Sequence, residues 1–332
     1  MKKLMVTGPK QAVFAEVPMP KCASDEVLVK AKITAISTGT ELRVYRNIPV
    51  DDEGTMMHGG VPWKIPIDNG YSMAGEVLEV GCDVAGFELG DRVFVGEPHQ
   101  EYAAVSADRA IKLPDGVGYD DGAFLHITQV AHNALRTGTP VPGSNVAIVG
   151  LGVVGLSAIA FCDAFGFRSV AIDTHPKRLE IAREMGAGLA VSPIDSDFLE
   201  KVKDYYAGDG ADLVVEAASV WPAIKTSMDI VGAGGNVVVV ARHTDRPDFN
   251  PMGHPYLTQQ ITLMTPKGME RGGQRWDYAH CVSLTLDMMA SGRMNIMPMI
   301  TNRLDWHQLP ETYERLDKGD LDMVGVALQW PD

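Results

Sequence analysis

The sequence has little cysteine, and its cysteines are not paired in spacing. Cys22, Cys82, Cys162 and Cys281 are the four cysteines, and no C-x-x-C motif occurs. Four scattered cysteines in 332 residues do not form a disulfide framework. We therefore expect a protein of a reducing compartment.

Positive charge is also scarce. Lys and Arg number 29 against 43 Asp and Glu, which gives a formal net charge of −14. Such an acidic chain is poorly suited to bind nucleic acid or an anionic membrane surface. The apolar runs are broken by Gly and Asp well before the roughly 18 residues that a membrane span requires, and no long apolar segment follows the two N-terminal lysines. We expect a cytoplasmic protein that engages neither nucleic acid nor membrane.

The composition that is present is that of a globular protein, with 45% hydrophobic and 22% charged residues. The length allows two domains. Up to about residue 115, short alternating or apolar runs are separated by Gly, Pro and Asp, which predicts a β-rich domain. After residue 145, apolar strands alternate with helices, which predicts a parallel sheet and an α/β fold class. A helix at 277–291 and strands at 296–303 and 324–329 lack this alternation and are predicted to return to the first domain.

A glycine-rich turn lies at the start of the alternating region. The apolar run at residues 146–149 leads into Gly150, Gly152 and Gly155, and the helix that follows begins with Val153 and Val154. The first glycine allows a tight turn, the second lets the backbone approach a pyrophosphate, and the third lets helix and strand pack closely. Free N–H groups at the start of the helix then face the phosphate. This pattern predicts a dinucleotide-binding site.

An acidic residue selects between the two common dinucleotides. Asp173 ends the second strand, close to the roughly 20 residues past the glycines where an acid binds the adenosine ribose 2′-OH. A 2′-phosphate would be repelled by this carboxylate, so the predicted cofactor is NAD. Arg178 is the side chain that could instead pair with a 2′-phosphate. Ala217 and Ala241 follow later strands, at the carboxyl ends where ligands bind in parallel sheets.

Short motifs are spaced along the whole chain. They are AISTGTEL (35–42), GYSMAGEV (70–77), GDRV (90–93), EY (101–102) with KLPD (112–115), and VGLGVVG (149–155). In this order they resemble the medium-chain dehydrogenase/reductase superfamily, the alcohol dehydrogenase-like proteins. The resemblance implies a GroES-like β-rich catalytic domain of residues 1–118 and 292–332 and a Rossmann NAD-binding domain of residues 119–291. It also implies a homodimer or homotetramer, for which residues 261–264 could supply an edge strand.

The chain departs from the zinc-dependent members of that superfamily at each ligand position. Those members have a Cys before a Gly-Thr/Ser-Asp segment, a Gly-His-Glu in the second motif, and a Cys, Glu or Asp in the helix before the Rossmann strand. Alignment places Thr38, Tyr71 and His126 at these positions. Thr, Tyr and a single His do not make the three-ligand open site of catalytic zinc. We predict a zinc-independent member with no metal.

Without a metal, side chains must manage the proton of the reacting hydroxyl. Tyr71 is the first candidate, because its phenol can donate to a developing alkoxide, and His126 is the second, because histidine ordinarily titrates near neutral pH. Thr40 and Glu41 match the hydroxyl relay and adjacent acid of the zinc enzymes, although both residue types also suit a local turn. Glu97 and His99 lie where the resemblance places the wall of the substrate pocket. A solvated loop is the favoured interpretation for His99, and the alternative is that Glu97 or His99 bonds to a polar substrate or supplies the base.

These observations predict an NAD-dependent oxidoreductase that interconverts a secondary alcohol and a ketone by hydride transfer. The polar candidates suggest a small hydroxylated substrate such as a polyol, a cyclitol or a sugar derivative. Two alternatives stay open. One is a zinc-free NADPH-dependent quinone or enoyl reductase, against which Asp173 counts. The other is a non-catalytic nucleotide-binding protein, because fold alone does not imply function.

Overall fold

The structure is a computed structural model that describes residues 1–49, 54–58, 61–240, 243, 247–250, 261–266 and 277–331. The chain divides into two compact units, Met1–His126 with Ile300–Asp332, and Ile127–Met299. The first unit is β-rich, and the second unit combines helices with a parallel sheet. This confirms the predicted α/β fold class. No helix in the described ranges is both long and apolar enough to cross a membrane.

The first part of the first unit is built mainly of short strands. Its helices are α1 (Thr38–Arg46) and α2 (Tyr119–Ala123). Its strands are β1 (Lys2–Gly8), β2 (Gln11–Glu16), β3 (Glu26–Ala35), β4 (Met57–His58), β5 (Val61–Pro62), β6 (Ile67–Asp68), β7 (Met73–Val80), β8 (Arg92–Val95), β9 (Tyr102–Ser106) and β10 (Ile111–Lys112). The β-rich character follows the prediction. Helix α1 was not predicted. It begins within the segment STGTE (37–41), which was interpreted as a possible turn.

Among its described residues, the second unit contains a six-stranded parallel sheet. Its helices are α3 (Leu125–Gly138), which begins in the first unit, α4 (Val153–Phe165), α5 (Pro176–Glu184), α6 (Phe198–Tyr205), α7 (Trp221–Ile230) and α8 (Tyr278–Ala290). Its strands are β11 (Asn145–Val149), β12 (Arg168–Ile172), β13 (Leu189–Val191), β14 (Ala211–Glu216), β15 (Val231–Val239) and β16 (Thr262–Met264), in the order β13-β12-β11-β14-β15-β16. The run predicted as an edge strand therefore lies at the end of this order. Every residue of β11 is buried, as is typical of a strand covered on both faces.

The chain then returns to the first unit with β17 (Asn302–Asp305), α9 (Leu309–Asp317) and β18 (Val326–Gln329). Strand β18 pairs with β3, so the end of the chain completes a seven-stranded sheet of order β10-β8-β7-β3-β18-β17, with β9 also paired to β3. The predicted strand at 296–303 is wrong over its first half. Met297–Met299 is a 3₁₀ turn there, because Pro298 cannot donate to a sheet ladder.

Candidate functional site

The glycine-rich turn joins β11 to α4 in the second unit. Gly150 has φ +93°, and a Cβ there would lie 2.6 Å from the Ala218 nitrogen. A Cβ at Gly155 would lie 1.9 Å from the Gly150 carbonyl oxygen. A Cβ at Gly152 would meet nothing within 4 Å, so the backbone there is open to a ligand. The turn is thus too tightly packed for side chains at Gly150 and Gly155. At Gly152 it is open.

The start of α4 can receive an anion. The helix begins with Val153 and Val154, and no side chain caps it at Gly152. The first N–H groups of a helix have no partner within the helix, and together with the helix dipole they favour a phosphate. The open backbone at Gly152 lies at the same place. These residues fit the pyrophosphate of a dinucleotide. When bound, such a dinucleotide would supply the hydride acceptor or donor through its nicotinamide.

Asp173 follows β12 and is tied to the glycine-rich turn. Its Oδ2 accepts a hydrogen bond from the Leu151 N–H at 2.8 Å, and its Oδ1 accepts one from the His175 N–H at 2.8 Å. Arg178 on α5 approaches the same carboxylate, with Nη1 3.8 Å from Oδ2. The acid and the arginine that bear on cofactor choice therefore share one location.

The other two predicted cofactor positions differ in what can be described. Ala217 follows β14, and its N–H donates to the Val149 carbonyl at 2.8 Å. This bond places Ala217 at the carboxyl end of the central strands, beside the glycine-rich turn. Ala241 lies outside the described residues.

A cluster of hydroxyl groups lies in the first unit around Tyr71. The Tyr71 hydroxyl donates a short hydrogen bond to Ser37 Oγ, and the Thr40 side chain also bonds to it. Burial raises the pKa of Tyr71 to about 12, an effect that the hydrogen bonds with Ser37 and Thr40 oppose and the charge of Glu41 increases. Tyr71 is therefore a neutral phenol at physiological pH. Ser37 was not predicted, although it lies in the same STGTE segment as Thr40.

His126 lies beside this cluster. Its ring centroid is 5.3 Å from that of Tyr71, with the planes at 78°, and 6.5 Å from that of Phe94, with the planes nearly parallel. Tyr71 and His126 come from different motifs, 55 positions apart in the numbering. The structure thus brings together two of the side chains that alignment placed at vacant ligand positions.

Glu41 and His99 are both completely buried and in contact with each other. His99 Nε2 lies 2.9 Å from Glu41 Oε2, and His99 Nδ1 lies 2.8 Å from Thr34 Oγ1. Trp330 Nε1 donates to Thr34 Oγ1 at 3.0 Å. Both ring nitrogens of His99 therefore have a protein partner, a carboxylate oxygen on one side and a hydroxyl on the other. His99 therefore lies in a buried network and not on a solvated loop.

Glu41 accepts further hydrogen bonds from both parts of the first unit. Its Oε1 accepts from the Ser37 N–H at 2.8 Å, and its Oε2 accepts from the Tyr313 hydroxyl at 2.5 Å. Asn69 Nδ2 donates to the Tyr313 hydroxyl at 3.1 Å. Burial and the charge of Glu41 raise the pKa of Tyr313 well above its usual value. The carboxylate is thus held by three donors and fixes the start of α1, where Ser37 and Thr40 lie.

Glu97 takes no part in this network. It is half-buried, and its Oε1 lies 3.4 Å from Arg109 Nη2. Burial raises the pKa of Glu97, while the charge of Arg109 opposes that shift. The two predicted residues of the 97–99 segment therefore have different surroundings, one in contact with an exposed arginine and one sealed in the core.

The donor atoms around Tyr71 do not fit a zinc ion. Zinc takes thiolate, imidazole and carboxylate ligands, whereas Ser37, Thr40 and Tyr71 present neutral hydroxyls. The imidazole of His99 and the carboxylate of Glu41 are already engaged with each other and with protein donors. Within the described ranges, no three His, Cys, Asp or Glu side chains form a group able to hold a metal.

The chain combines a parallel sheet that carries a glycine-rich turn with a β-rich unit that carries a hydroxyl cluster, and this arrangement fits a two-domain, dinucleotide-binding class of protein. Comparison with known families agrees with this class. Residues 23–136 match the alcohol dehydrogenase GroES-like domain, and residues 153–278 match the zinc-binding dehydrogenase family. Together these matches and the relatives below show that the chain is similar to members of the medium-chain dehydrogenase/reductase superfamily.

Two curated relatives are similar over nearly the whole chain. Sorbitol dehydrogenase of Bacillus subtilis is 27% identical over 351 residues, covering 95% of this chain and 93% of that enzyme. L-threonine 3-dehydrogenase of Pyrococcus abyssi is 27% identical over 366 residues, covering 99% of each chain. Among solved structures, 2R,3R-butanediol dehydrogenase of Bacillus subtilis has a TM-score of 0.82 at 22% identity, with 99% of each chain covered. The last comparison establishes likeness of fold.

Proposed function

We propose that this protein is an NAD-dependent oxidoreductase that interconverts a secondary alcohol and a ketone without zinc. The observation that carries the proposal is the hydroxyl cluster of Tyr71, Ser37 and Thr40 beside His126, in a chain that also has a dinucleotide turn. The relatives support the reaction class, because those named above act on alcohols such as sorbitol and threonine. Together these features favour a small hydroxylated substrate.

Tyr71 is proposed as the proton donor to the substrate oxygen. During ketone reduction, hydride arrives at the carbonyl carbon and negative charge develops on the oxygen, which a neutral phenol can stabilise by a hydrogen bond and then protonate. The raised pKa keeps that proton on Tyr71 until it is needed. In the oxidation direction, the hydroxyl proton passes to the Tyr71 oxygen as Tyr71 passes its own proton to Ser37 Oγ, and Ser37 in turn releases its hydroxyl proton to water.

NAD is proposed over NADP because of Asp173. Its carboxylate is fixed at the end of β12 by two backbone N–H groups, so its negative charge cannot turn away from an adenosine ribose. A 2′-phosphate at this place would be repelled. Arg178 is the opposing consideration, because its guanidinium lies 3.8 Å from the same carboxylate. The pairing of Arg178 with Asp173 leaves it less available to a phosphate.

The substrate is proposed to be a polyol, a cyclitol or a sugar-like alcohol. The side chains that lie around Tyr71 are hydroxyls and an imidazole, which can bond to several hydroxyl groups of such a molecule. Glu97 adds a half-buried carboxylate to the same unit. An enoyl or quinone substrate would offer few partners for these groups.

The experiment is a reduction assay with NAD and with NADP across polyols, cyclitols, sugars and simple secondary alcohols, each with and without a strong chelator. We expect NAD reduction with a hydroxylated substrate and no effect of the chelator. Activity that disappears with chelator and returns with zinc would contradict the metal-free reaction. Reduction of conjugated alkenes or quinones by NADPH alone would favour the reductase alternative. Tight NAD binding with no turnover across the panel would favour a non-catalytic nucleotide-binding protein.

A further inference from the structure

Glu216 is a buried carboxylate that the reaction described above does not use. It is the last residue of β14, and its side chain is completely buried. A charged residue at the end of the apolar run of residues 213–215 is a signal that the sequence carries, because an ionisable group is rarely buried without a partner. Its position at the carboxyl end of the central strands places it at the edge where ligands bind in parallel sheets.

One carboxylate oxygen holds the turn that follows the strand. Glu216 Oε1 accepts hydrogen bonds from the Ala218 N–H at 2.7 Å and the Ser219 N–H at 3.1 Å. Ser219 has φ +62°, which is unfavourable for a residue with a side chain. The two bonds therefore hold a turn that the backbone alone would not favour.

This turn is in direct contact with the glycine-rich turn. A Cβ at Gly150 would lie 2.6 Å from the Ala218 nitrogen and 2.7 Å from the Ala218 Cα, so the two backbones pack without a gap. A movement of Ala218 would move Gly150 or open a space beside it. The position of the glycine-rich turn thus depends on the bonds that Glu216 accepts.

The other carboxylate oxygen faces a histidine. Glu216 Oε2 lies 3.5 Å from His243 Nε2, and the His243 side chain is 7% exposed. His243 also lies against Trp221, with ring centroids 4.8 Å apart. Of the titratable side chains that the structure describes, His243 is the one within ion-pair distance of Glu216. Burial raises the pKa of Glu216 to about 7, while the Ala218 and Ser219 hydrogen bonds oppose that shift.

We propose that Glu216 is a positioning residue for the dinucleotide. Ionised Glu216 holds residues 217–219 against the glycine-rich turn, and protonated Glu216 loosens that contact. The proposal rests on the proposed function, because it requires that the turn binds a dinucleotide. An ionised acceptor makes hydrogen bonds that are roughly twice as strong as those of a neutral one. Dinucleotide affinity therefore falls as the pH drops through the range where Glu216 takes up a proton.

The test compares the wild-type protein with Glu216→Gln, which keeps an acceptor oxygen but removes the charge. The dissociation constant for NADH is measured by its fluorescence between pH 5.5 and 9. We expect the wild-type constant to rise about tenfold from pH 8 to pH 6, within the usual range of coupling between sites. Glu216→Gln is expected to show the weaker value at every pH. Asp229→Asn, which removes an exposed carboxylate paired with Lys225 on α7, is the matched control and should keep the wild-type profile.

A second variant tests the histidine and guards against a folding defect. A protonated His243 stabilises the ionised Glu216 carboxylate, and His243→Gln removes that group. The midpoint of the affinity profile should therefore move to higher pH. Trp221 fluorescence, measured against a Trp221→Phe background, should report the same midpoint in the protein without nucleotide. Circular dichroism shows whether each variant is folded.

The outcomes separate this proposal from the proposed function. Wild-type protein that binds no dinucleotide at any pH overturns both. Wild-type protein that binds NADH, with folded Glu216→Gln keeping the same affinity and the same pH profile, overturns the role of Glu216 alone. A pH-independent Glu216→Gln profile together with a shifted His243→Gln midpoint supports it.

Discussion

Burial divides the predicted catalytic side chains into two groups. Tyr71, Thr40 and His126 are half-buried and can meet a small molecule, whereas Glu41 and His99 are completely sealed from solvent. A sealed side chain cannot exchange a proton with a substrate directly. We therefore propose that Glu41 and His99 position the start of α1, and that Tyr71 contacts the substrate.

The replacement Tyr71→Phe tests the proton donor. It removes the hydroxyl and keeps the ring, so kcat for ketone reduction should fall by roughly 100-fold to 10,000-fold, as for the loss of a general acid. NADH affinity should not change. Tyr102→Phe, on β9 of the same unit, is the control for loss of a phenol elsewhere. Unchanged kcat in Tyr71→Phe would remove this residue as the donor.

The replacement Glu41→Ala tests the buried network. It leaves the Ser37 N–H, the Tyr313 hydroxyl and His99 without their common acceptor, so the free energy of unfolding should fall by about 3 to 5 kcal/mol. Urea unfolding at pH 7.5 measures this loss. Glu311→Ala, at an exposed position of α9, should change it by less than about 0.5 kcal/mol. Equal, small effects of both replacements would show that Glu41 does not organise the core.

His132 on α3 gives a prediction for pH. Burial, with a smaller contribution from Arg136, lowers the pKa of His132 from 6.5 to about 4, so the folded protein keeps this ring neutral where the unfolded chain would protonate it. The stability contributed by His132 is thus complete above pH 6.5 and is lost as the pH falls towards 4, at about 1.4 kcal/mol per pH unit. His132→Leu should show a shallower loss of unfolding free energy between pH 6.5 and 5. His307 is exposed, so His307→Gln should lose unfolding free energy with falling pH as steeply as the wild type. An equally steep loss in His132→Leu would show that His132 does not cause this pH dependence.

At the scale of elements, the glycine-rich turn combines two requirements that variants can separate. Gly152→Ala adds a methyl group where nothing lies within 4 Å, so folding should be unaffected while NADH affinity falls at least tenfold, because the methyl group occupies the phosphate approach. Gly155→Ala forces a methyl group against the Gly150 carbonyl, so both affinity and stability should fall, the latter by roughly 2 kcal/mol. Isothermal titration and thermal unfolding measure the two quantities. Full NADH affinity in Gly152→Ala would place the phosphate elsewhere.

Elements with a local signal could be predicted from the sequence. Strand β11, the start of α4 and Asp173 follow from a continuous stretch in which each residue type has a nearby reason. Helix α9 was missed, although Pro310 in its first turn is a known signal of a helix start. Helix α1 was missed because Ser, Thr and Gly suggest a turn. Its helical conformation depends on Glu41, which bonds back to the Ser37 N–H from a buried position.

At the scale of the whole molecule, contacts between distant residues could not be predicted. Glu41 and Tyr313 are 272 positions apart, and Thr34 and Trp330 are 296 apart. No periodicity or spacing links such pairs. The sequence therefore offered Glu41 and His99 as candidates, but it did not reveal their burial, their contact with each other or the partners that Tyr313 and Trp330 contribute.

The hydroxyl groups around Tyr71 give a prediction for the metal content of the protein. Protein purified from cells grown with ample zinc should contain well under one zinc ion per chain by elemental analysis, because hydroxyls replace the usual ligands around Tyr71. Thr38→Cys combined with Tyr71→His, which restores two of the expected ligand types, should raise zinc uptake. One zinc ion for each wild-type chain, retained through dialysis against chelator, would contradict the metal-free proposal.

The return of the chain to β18 and α9 also sets an order of events during synthesis. The second unit is continuous from Ile127 to Met299, and it can fold as soon as those residues have left the ribosome. The first unit lacks the Tyr313 hydroxyl beside Glu41 and the Trp330 indole beside Thr34 until those two residues are made, after the second unit. The surroundings of Tyr71 are therefore completed after the second unit, so a chain released early would have the glycine-rich turn but would lack the contacts from Tyr313 that hold the start of α1.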